Sequence, residues 1–160
     1  SQLPALVETV GALLDLKDGE TLLDLYAGVG VFSAFAAPKA SLVTLVESYP
    51  PAATDADENL ADFDNVDVIE GSVEEVLGAL DEAYDAAIVD PGSRGLGKEA
   101  IDGLVGSQAA RIVYVSDDPA SLARDAKRLS QQGYRLAAAQ PLDFAPQTYY
   151  LETAALFVRR

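Results

Sequence analysis

A chain of 160 residues, 49% hydrophobic and without cysteine or histidine, can bury a core unaided, and it lacks the side chains for thiol redox chemistry, a Ser-His-Asp triad, a cysteine nucleophile or an ordinary zinc site. Its 26 acids against 11 bases leave a formal net charge of −15, which argues against a self-sufficient nucleic-acid binder. Twelve acids and no Lys or Arg lie from Ser48 to Val89, while nine of the eleven bases lie from Arg94 onward; this fits a solubilising surface suited to high salt, or a polarised domain whose second half meets an anionic partner.

No apolar run approaches the ~20 residues of a membrane span and no signal peptide is visible, so a soluble, cytoplasmic protein is expected. The chain contains no methionine. Residues 1–160 are therefore expected to be one domain cut from a longer chain, with further sequence before Ser1.

In chain order, Leu3, Leu6, Val7, Val10, Leu13 and Leu14 follow helical spacing, predicting a helix over 3–14. "TLLDLYAG" (21–28) predicts a buried strand ending in a glycine turn, with a helix over 31–37. "SLVTLVE" (41–47) is the next strand, and 50–63 a helix opened by Pro50 and Pro51. A strand over 66–71, a helix over 73–80, a strand over 84–91 stopped by proline and a helix over 98–106 follow. "RIVYVS" (111–116) is the fifth strand, and 119–133 a helix capped by Gly133.

Strand and helix alternate to this point, which predicts an α/β fold with a parallel sheet covered on both faces. The ending differs: 134–144 and 149–159 read as two strands joined by "APQT". That linker is too short for a crossover helix, so the last pair must be antiparallel.

In open α/β sheets ligands sit beyond the carboxyl ends of the strands. Here those ends are "DLYAGVG" (24–30), Glu47, "GS" (71–72), "DPGSRG" (90–95) and "SDDP" (116–119). Gly28 and Gly30 allow close backbone approach, and Glu47 stands where an acid grips ribose hydroxyls. A nucleoside cofactor is expected, the alternative being a mere packing turn. Ser33 takes the third glycine position of the dinucleotide pattern, and Asp24 sits where a dinucleotide strand is apolar. By fold-level analogy, the acid, glycine loop, second acid and terminal antiparallel pair fit an S-adenosylmethionine pocket in a Rossmann-like, seven-stranded class I methyltransferase fold.

Asp118 with Pro119 predicts an N-cap and N1 pair, a role needing no chemistry. Asp117 is a solvated loop acid or half of a carboxylate pair with Glu152. Glu152 lies in an otherwise apolar strand, where an unpaired carboxylate is costly. Asp90, Asp117 and Glu152 are oxygen donors of the kind Mg²⁺ takes, but three scattered acids do not predict a metal site. Arg124, Lys127 and Arg128 read as a solvated helix face, or as phosphate contacts if RNA binds.

The segments "LLDLYAGVGVFS" (22–33), "VESYPPAATDADEN" (46–59), "VDPGSRGL" (89–96), "RIVYVSDDPASLARD" (111–125), "GYRLAAAQPLDFAPQT" (133–148) and "YLETAALFVR" (150–159) together resemble the C-terminal catalytic domain of the RNA uracil-5-methyltransferases. The resemblance implies S-adenosylmethionine as cofactor, with Asp24, Tyr26, Gly28, Gly30, Val31, Glu47 and Ser72 around it and Asp90 between cofactor and target base. It implies RNA as partner, engaged together with an N-terminal part before Ser1. It makes Glu152 the proton-abstracting carboxylate and sets Asp117 at the position of the nucleophilic cysteine. Two further departures accompany that one: "DPGS" stands for the family's "DPPR", with Arg94 one place late, and Tyr150 stands for its histidine. A carboxylate is a far weaker nucleophile than a thiolate. Three outcomes are consistent with this: methyl transfer with altered or lost chemistry, a silent cofactor- or RNA-binding module, and transfer redirected to another acceptor.

Overall fold

The structure, a computed structural model, describes residues 3–143 and 151–160. Helix α1 (Leu3–Leu14) buries Leu6, Val10 and Leu14, one side chain per turn. The chain then alternates through β1 (Thr21–Leu25), α2 (Val31–Ala36), β2 (Leu42–Glu47), α3 (Pro50–Asn59), β3 (Val66–Glu70), α4 (Val73–Ala79), β4 (Ala86–Val89), α5 (Lys98–Gly106), β5 (Arg111–Ser116) and α6 (Pro119–Gln131), and ends in β6 (Tyr134–Asp143) and β7 (Leu151–Arg159).

The seven strands form one sheet in the order β3-β2-β1-β4-β5-β7-β6. The first five are parallel, in registers that include Leu23↔Thr44, Leu23↔Ala87 and Ile88↔Val113. The last two are antiparallel to each other, and β7 is antiparallel to β5. The linker residues 145–148 and Tyr150 lie outside the described residues, but the β6–β7 pairing from Tyr134↔Arg159 to Asp143↔Leu151 is the antiparallel hairpin that the short linker demanded.

Pleating sends alternate strand residues to opposite faces. Leu23, Leu25, Ala87, Val89, Ile112 and Tyr114 meet α4, α5 and α6 on one side. Leu22, Ala86, Ile88, Val113 and Val115 meet α1 and α2 on the other. Continuous apolar runs such as "IVYV" (112–115) and "AAIV" (86–89) are thus what a sheet buried on both faces requires. No helix among the described residues is long and apolar enough to cross a membrane.

Several elements are shorter than their sequence patterns suggest. β1 stops at Leu25 because Tyr26 turns to a positive φ of 57°. β4 covers only 86–89, since Tyr84 is tied to the Ser107 carbonyl before it. α3 stops at Asn59 rather than 63: Phe63 closes a turn on the Leu60 carbonyl, and Leu60 drops into a small core with Leu45 and Ala56. Gly133 takes φ +94° just past α6, the left-handed end expected of it.

Candidate functional site

β1 lies between β2 and β4, where the strand order reverses direction, and this is the topological switch point. The glycine loop after β1 and Asp90 after β4 therefore flank one crevice. Within the loop Tyr26, Gly28 and Gly30 all have positive φ (57°, 59° and 90°). A Cβ on Gly30 would fall 2.8 Å from Leu60 Cδ1, whereas one on Gly28 would meet nothing within 4 Å. Gly30 is thus a packing requirement, and Gly28 borders open space.

Glu47, at the end of β2, accepts the Gly28 amide on Oε1 at 2.8 Å and the Tyr49 amide on Oε2 at 2.7 Å. Each carboxylate oxygen keeps a further lone pair. Its own carbonyl accepts the Gly71 amide at 3.0 Å, which ties the β3 end to the same corner. The next residue, Ser72, caps α4, its Oγ accepting the Glu75 amide at 3.1 Å. Val31 opens α2 directly after Gly30.

Asp24 is fully buried in β1. Ser33 Oγ donates to its Oδ2 at 2.7 Å, and its Oδ1 has no hydrogen-bond partner. Burial pushes its pKa up to about 7, against the Ser33 hydrogen bonds and helped by the charges of Asp90 and Glu47. Asp90 is likewise raised to about 7, first by burial and then by Glu152 and Asp117. Burial, then Glu74 and Asp125, pushes the half-buried Tyr26 phenol up, so it stays neutral at neutral pH.

The register pairs Ser116 with Thr153, which sets Asp117, just past the end of β5, beside Glu152, the second residue of β7. Asp117 is exposed. Asp118 does what a cap does: Oδ2 accepts the Ser121 amide at 3.1 Å and its Oγ at 2.6 Å, and these bonds hold its carboxyl below the usual range. Asp24 thus interacts with Asp90 and Glu47, and Asp90 with Asp117 and Glu152, toward one end of the parallel strands, while Asp118 serves α6. Among the described residues no three of them are grouped so as to hold a metal ion. A cavity of about 230 Å³ between α1 and α2, lined by Leu14, Phe35 and Lys39 among others, shares no residue with this group.

Arg124 and Arg128 keep 44% and 41% side-chain exposure on the α6 face, and both are also engaged by the loop after β4. Arg124 Nη2 donates to the carbonyls of Arg94 (2.7 Å) and Leu96 (3.3 Å), and Arg128 Nη1 to Leu96 (3.4 Å). Both also pair with Asp125, which is fully buried and was passed over in the sequence. The available signal was positional: Ser121, Asp125 and Leu129 form the buried stripe of α6, and an acid on such a stripe must have partners.

No protein-family model matches the chain. Over 149 residues, 90% of its length, it is 41% identical to an uncharacterized RNA methyltransferase of Caldanaerobacter subterraneus subsp. tengcongensis, of which the match covers 33%. An uncharacterized RNA methyltransferase of Thermotoga maritima is 38% identical over 146 residues, 90% of this chain and 33% of the relative. The chain thus spans about a third of the length of the curated relatives it matches. Among solved structures, the tRNA (uracil-54, C5)-methyltransferase of Pyrococcus abyssi in complex with S-adenosyl-L-homocysteine superposes with a TM-score of 0.79 at 30% identity, over 94% of this chain and 37% of that one. A precorrin-6y C5,15-methyltransferase of Geobacter metallireducens shares the fold alone, with a TM-score of 0.80 at 20% identity over 97% of this chain and 88% of that one. The resemblance to RNA methyltransferases and the Rossmann-like class I methyltransferase fold are both borne out.

Proposed function

We propose that this chain is the catalytic domain of an S-adenosylmethionine-dependent RNA methyltransferase, built like the uracil-C5 enzymes but with altered chemistry toward the acceptor. The observation that carries the reading is the Glu47–glycine-loop corner. There, a carboxylate with lone pairs to spare faces a loop bordered by open space at Gly28. The cofactor's fit is supported further by the buried, unpartnered Oδ1 of Asp24 under the same loop. Bound there, S-adenosylmethionine supplies an electrophilic methyl group on a sulfonium.

The chain's own residues divide the remaining work. Glu47 accepts hydroxyl hydrogens of a ribose, and Tyr26, Gly28, Gly30, Val31 and Ser72 shape the cradle. Asp90, half-buried and titrating near neutrality, is assigned to the boundary between cofactor and acceptor. Glu152 takes the proton that the acceptor loses.

Asp117 does not replace a thiolate, because a carboxylate makes a poor and easily expelled nucleophile. The raised pKa of Asp90 between Asp117 and Glu152 favours a second reading. Methyl transfer is then redirected to an acceptor with its own nucleophilic hydroxyl or amine, whose proton a carboxylate accepts. RNA is engaged together with parts of the longer relatives that lie outside this chain.

Calorimetric titration with S-adenosylmethionine, S-adenosylhomocysteine and NADH tests the proposal. Binding of the first two alone, abolished by Gly28→Val, is the expected result. NADH binding, or unchanged binding by Gly28→Val, overturns it. In Asp117→Cys, uridine methylation of an RNA substrate would show that only the nucleophile is missing. If that variant binds cofactor without gaining activity, the redirected or silent reading stands.

A further inference from the structure

We infer that Asp125 is a positioning residue for the loop that carries Asp90: its buried carboxylate, held in α6, grips that loop and sets where it stands over the ends of β4 and β5. Its side chain has no exposure, and it meets four donors, the Leu96 amide, the Tyr114 hydroxyl and the guanidinium groups of Arg124 and Arg128. Oδ2 accepts the Leu96 amide at 2.7 Å and the Tyr114 hydroxyl at 2.6 Å. Oδ1 faces Arg124 Nε at 3.2 Å and Arg128 Nη1 at 3.9 Å. A buried carboxylate is tolerated only with such a full set of partners.

The loop is held from the same helix at neighbouring points. The Ser121 hydroxyl, its one hydrogen shared between Asp118 Oδ2 and the Ser93 carbonyl, lies 2.6 Å from that carbonyl, and Arg124 Nη2 donates to the Arg94 carbonyl at 2.7 Å. Gly95 makes the approach possible, at φ +70°, since a Cβ there would lie 2.6 Å from Asp125 Oδ2 and 3.0 Å from the Tyr114 hydroxyl. α6 begins at Pro119, immediately after Asp117 and its capping neighbour Asp118. One rigid helix therefore fixes both the Asp117 corner and the Asp90 loop, and with them the distance across the acceptor side of the crevice. The clamp itself does not depend on the proposed methyl transfer. Only its consequence for the acceptor rests on that reading.

The test uses the ligand-free chain. In the unsubstituted protein the Leu96 amide is expected to exchange its hydrogen at least about tenfold more slowly than an unprotected amide. An unprotected rate there overturns the proposal without any variant. In Asp125→Asn, Leu96 exchange is expected to speed up about 10- to 100-fold while the Val113 amide is unaffected. The carboxyl carbon of Asp90 should then titrate at lower pH, as water reaches it. A folded Asp125→Asn with unchanged Leu96 exchange and unchanged Asp90 titration also overturns the proposal. If that variant does not fold, Gly95→Ala applies the same push from the loop side and is read the same way. Titration of each protein with S-adenosylhomocysteine separates the two claims. Failure of the parent chain to bind it counts against the methyltransferase reading and leaves the exchange result to decide the clamp.

Discussion

Glu47 Oε1 and the Gly28 amide, 19 residues apart in sequence, meet at 2.8 Å across the ends of β2 and β1. The carboxylate that is proposed to hold the ribose therefore also shapes the loop. Glu47→Gln should weaken S-adenosylhomocysteine binding about 10- to 100-fold, because a charge-assisted acceptor is lost on both sides. Calorimetry checks this. Equal affinity in the variant would remove Glu47 from the cofactor site.

Asp24 and Asp90 should make the protein more stable on mild acidification. Their folded pKa values are raised to about 7 from an ordinary 3.8. Between these values the folded state binds protons that the unfolded state does not, so stability rises as pH falls through the upper value. Asp15, Glu20, Asp102 and Asp118 are shifted the other way, and their contribution is lost in stronger acid. Tm should thus climb from about pH 8 to about pH 5 and then fall. Asp24→Asn should flatten the climb and raise stability at the alkaline end by about 2–4 kcal/mol. A Tm independent of pH across that window would contradict the assignment.

The two aspartates after β5 should separate cleanly in urea denaturation. Asp118→Ala removes the cap of α6 and should cost about 1 kcal/mol. Asp117→Ala, at an exposed position without a capping role, should change stability by less than about 0.5 kcal/mol. A larger loss at Asp117 would mean that it carries structure.

Gly30→Ala should cost more than Gly28→Ala. Both positions have positive φ, but only the added methyl at Gly30 runs into Leu60 and Leu45. About 1 kcal/mol of backbone strain is expected at Gly28, and about 2–4 kcal/mol of strain plus overpacking at Gly30. Denaturation midpoints of the two variants decide the order.

With 26 acids and 11 bases, the folded chain repels itself. Raising NaCl from about 0.1 M to about 1 M shortens the screening length from about 10 Å to 3 Å and should raise Tm by about 3 °C or more. A falling Tm would show that ion pairs such as Arg111–Glu20 outweigh the repulsion.

The fold was legible in the sequence because its signals are local. Apolar runs bounded by Gly, Pro and Asp mark β1, β4 and β5, and "APQT" alone forces the last turn to be antiparallel. The Asp118–Pro119 pair announced a helix start, and Gly28, Gly30 and Glu47 announced a crevice. What escaped were contacts made at long range by residues whose type suggested solvent. Arg124 reaches a carbonyl 30 residues away, and Asp125 an amide 29 residues away. Periodicity could place them on α6, but it could not show that the loop after β4 folds back over that helix. Glu47 was anticipated as a ligand group; its grip on its own loop requires knowing that β1 and β2 are neighbours.

The strand order carries a consequence for how the protein is made. β7, residues 151–159, is interior to the sheet, between β5 and β6. During synthesis five parallel strands and their helices can assemble while β6 waits, because β7, the strand it pairs with among the described residues, has not yet emerged. The edge of β5 stays open through that interval, and Glu152 reaches the carboxylate corner only when the late strand slides into place. Assembly of the acid site is therefore among the last events of folding, and any delay there leaves a template for mispairing between nascent chains.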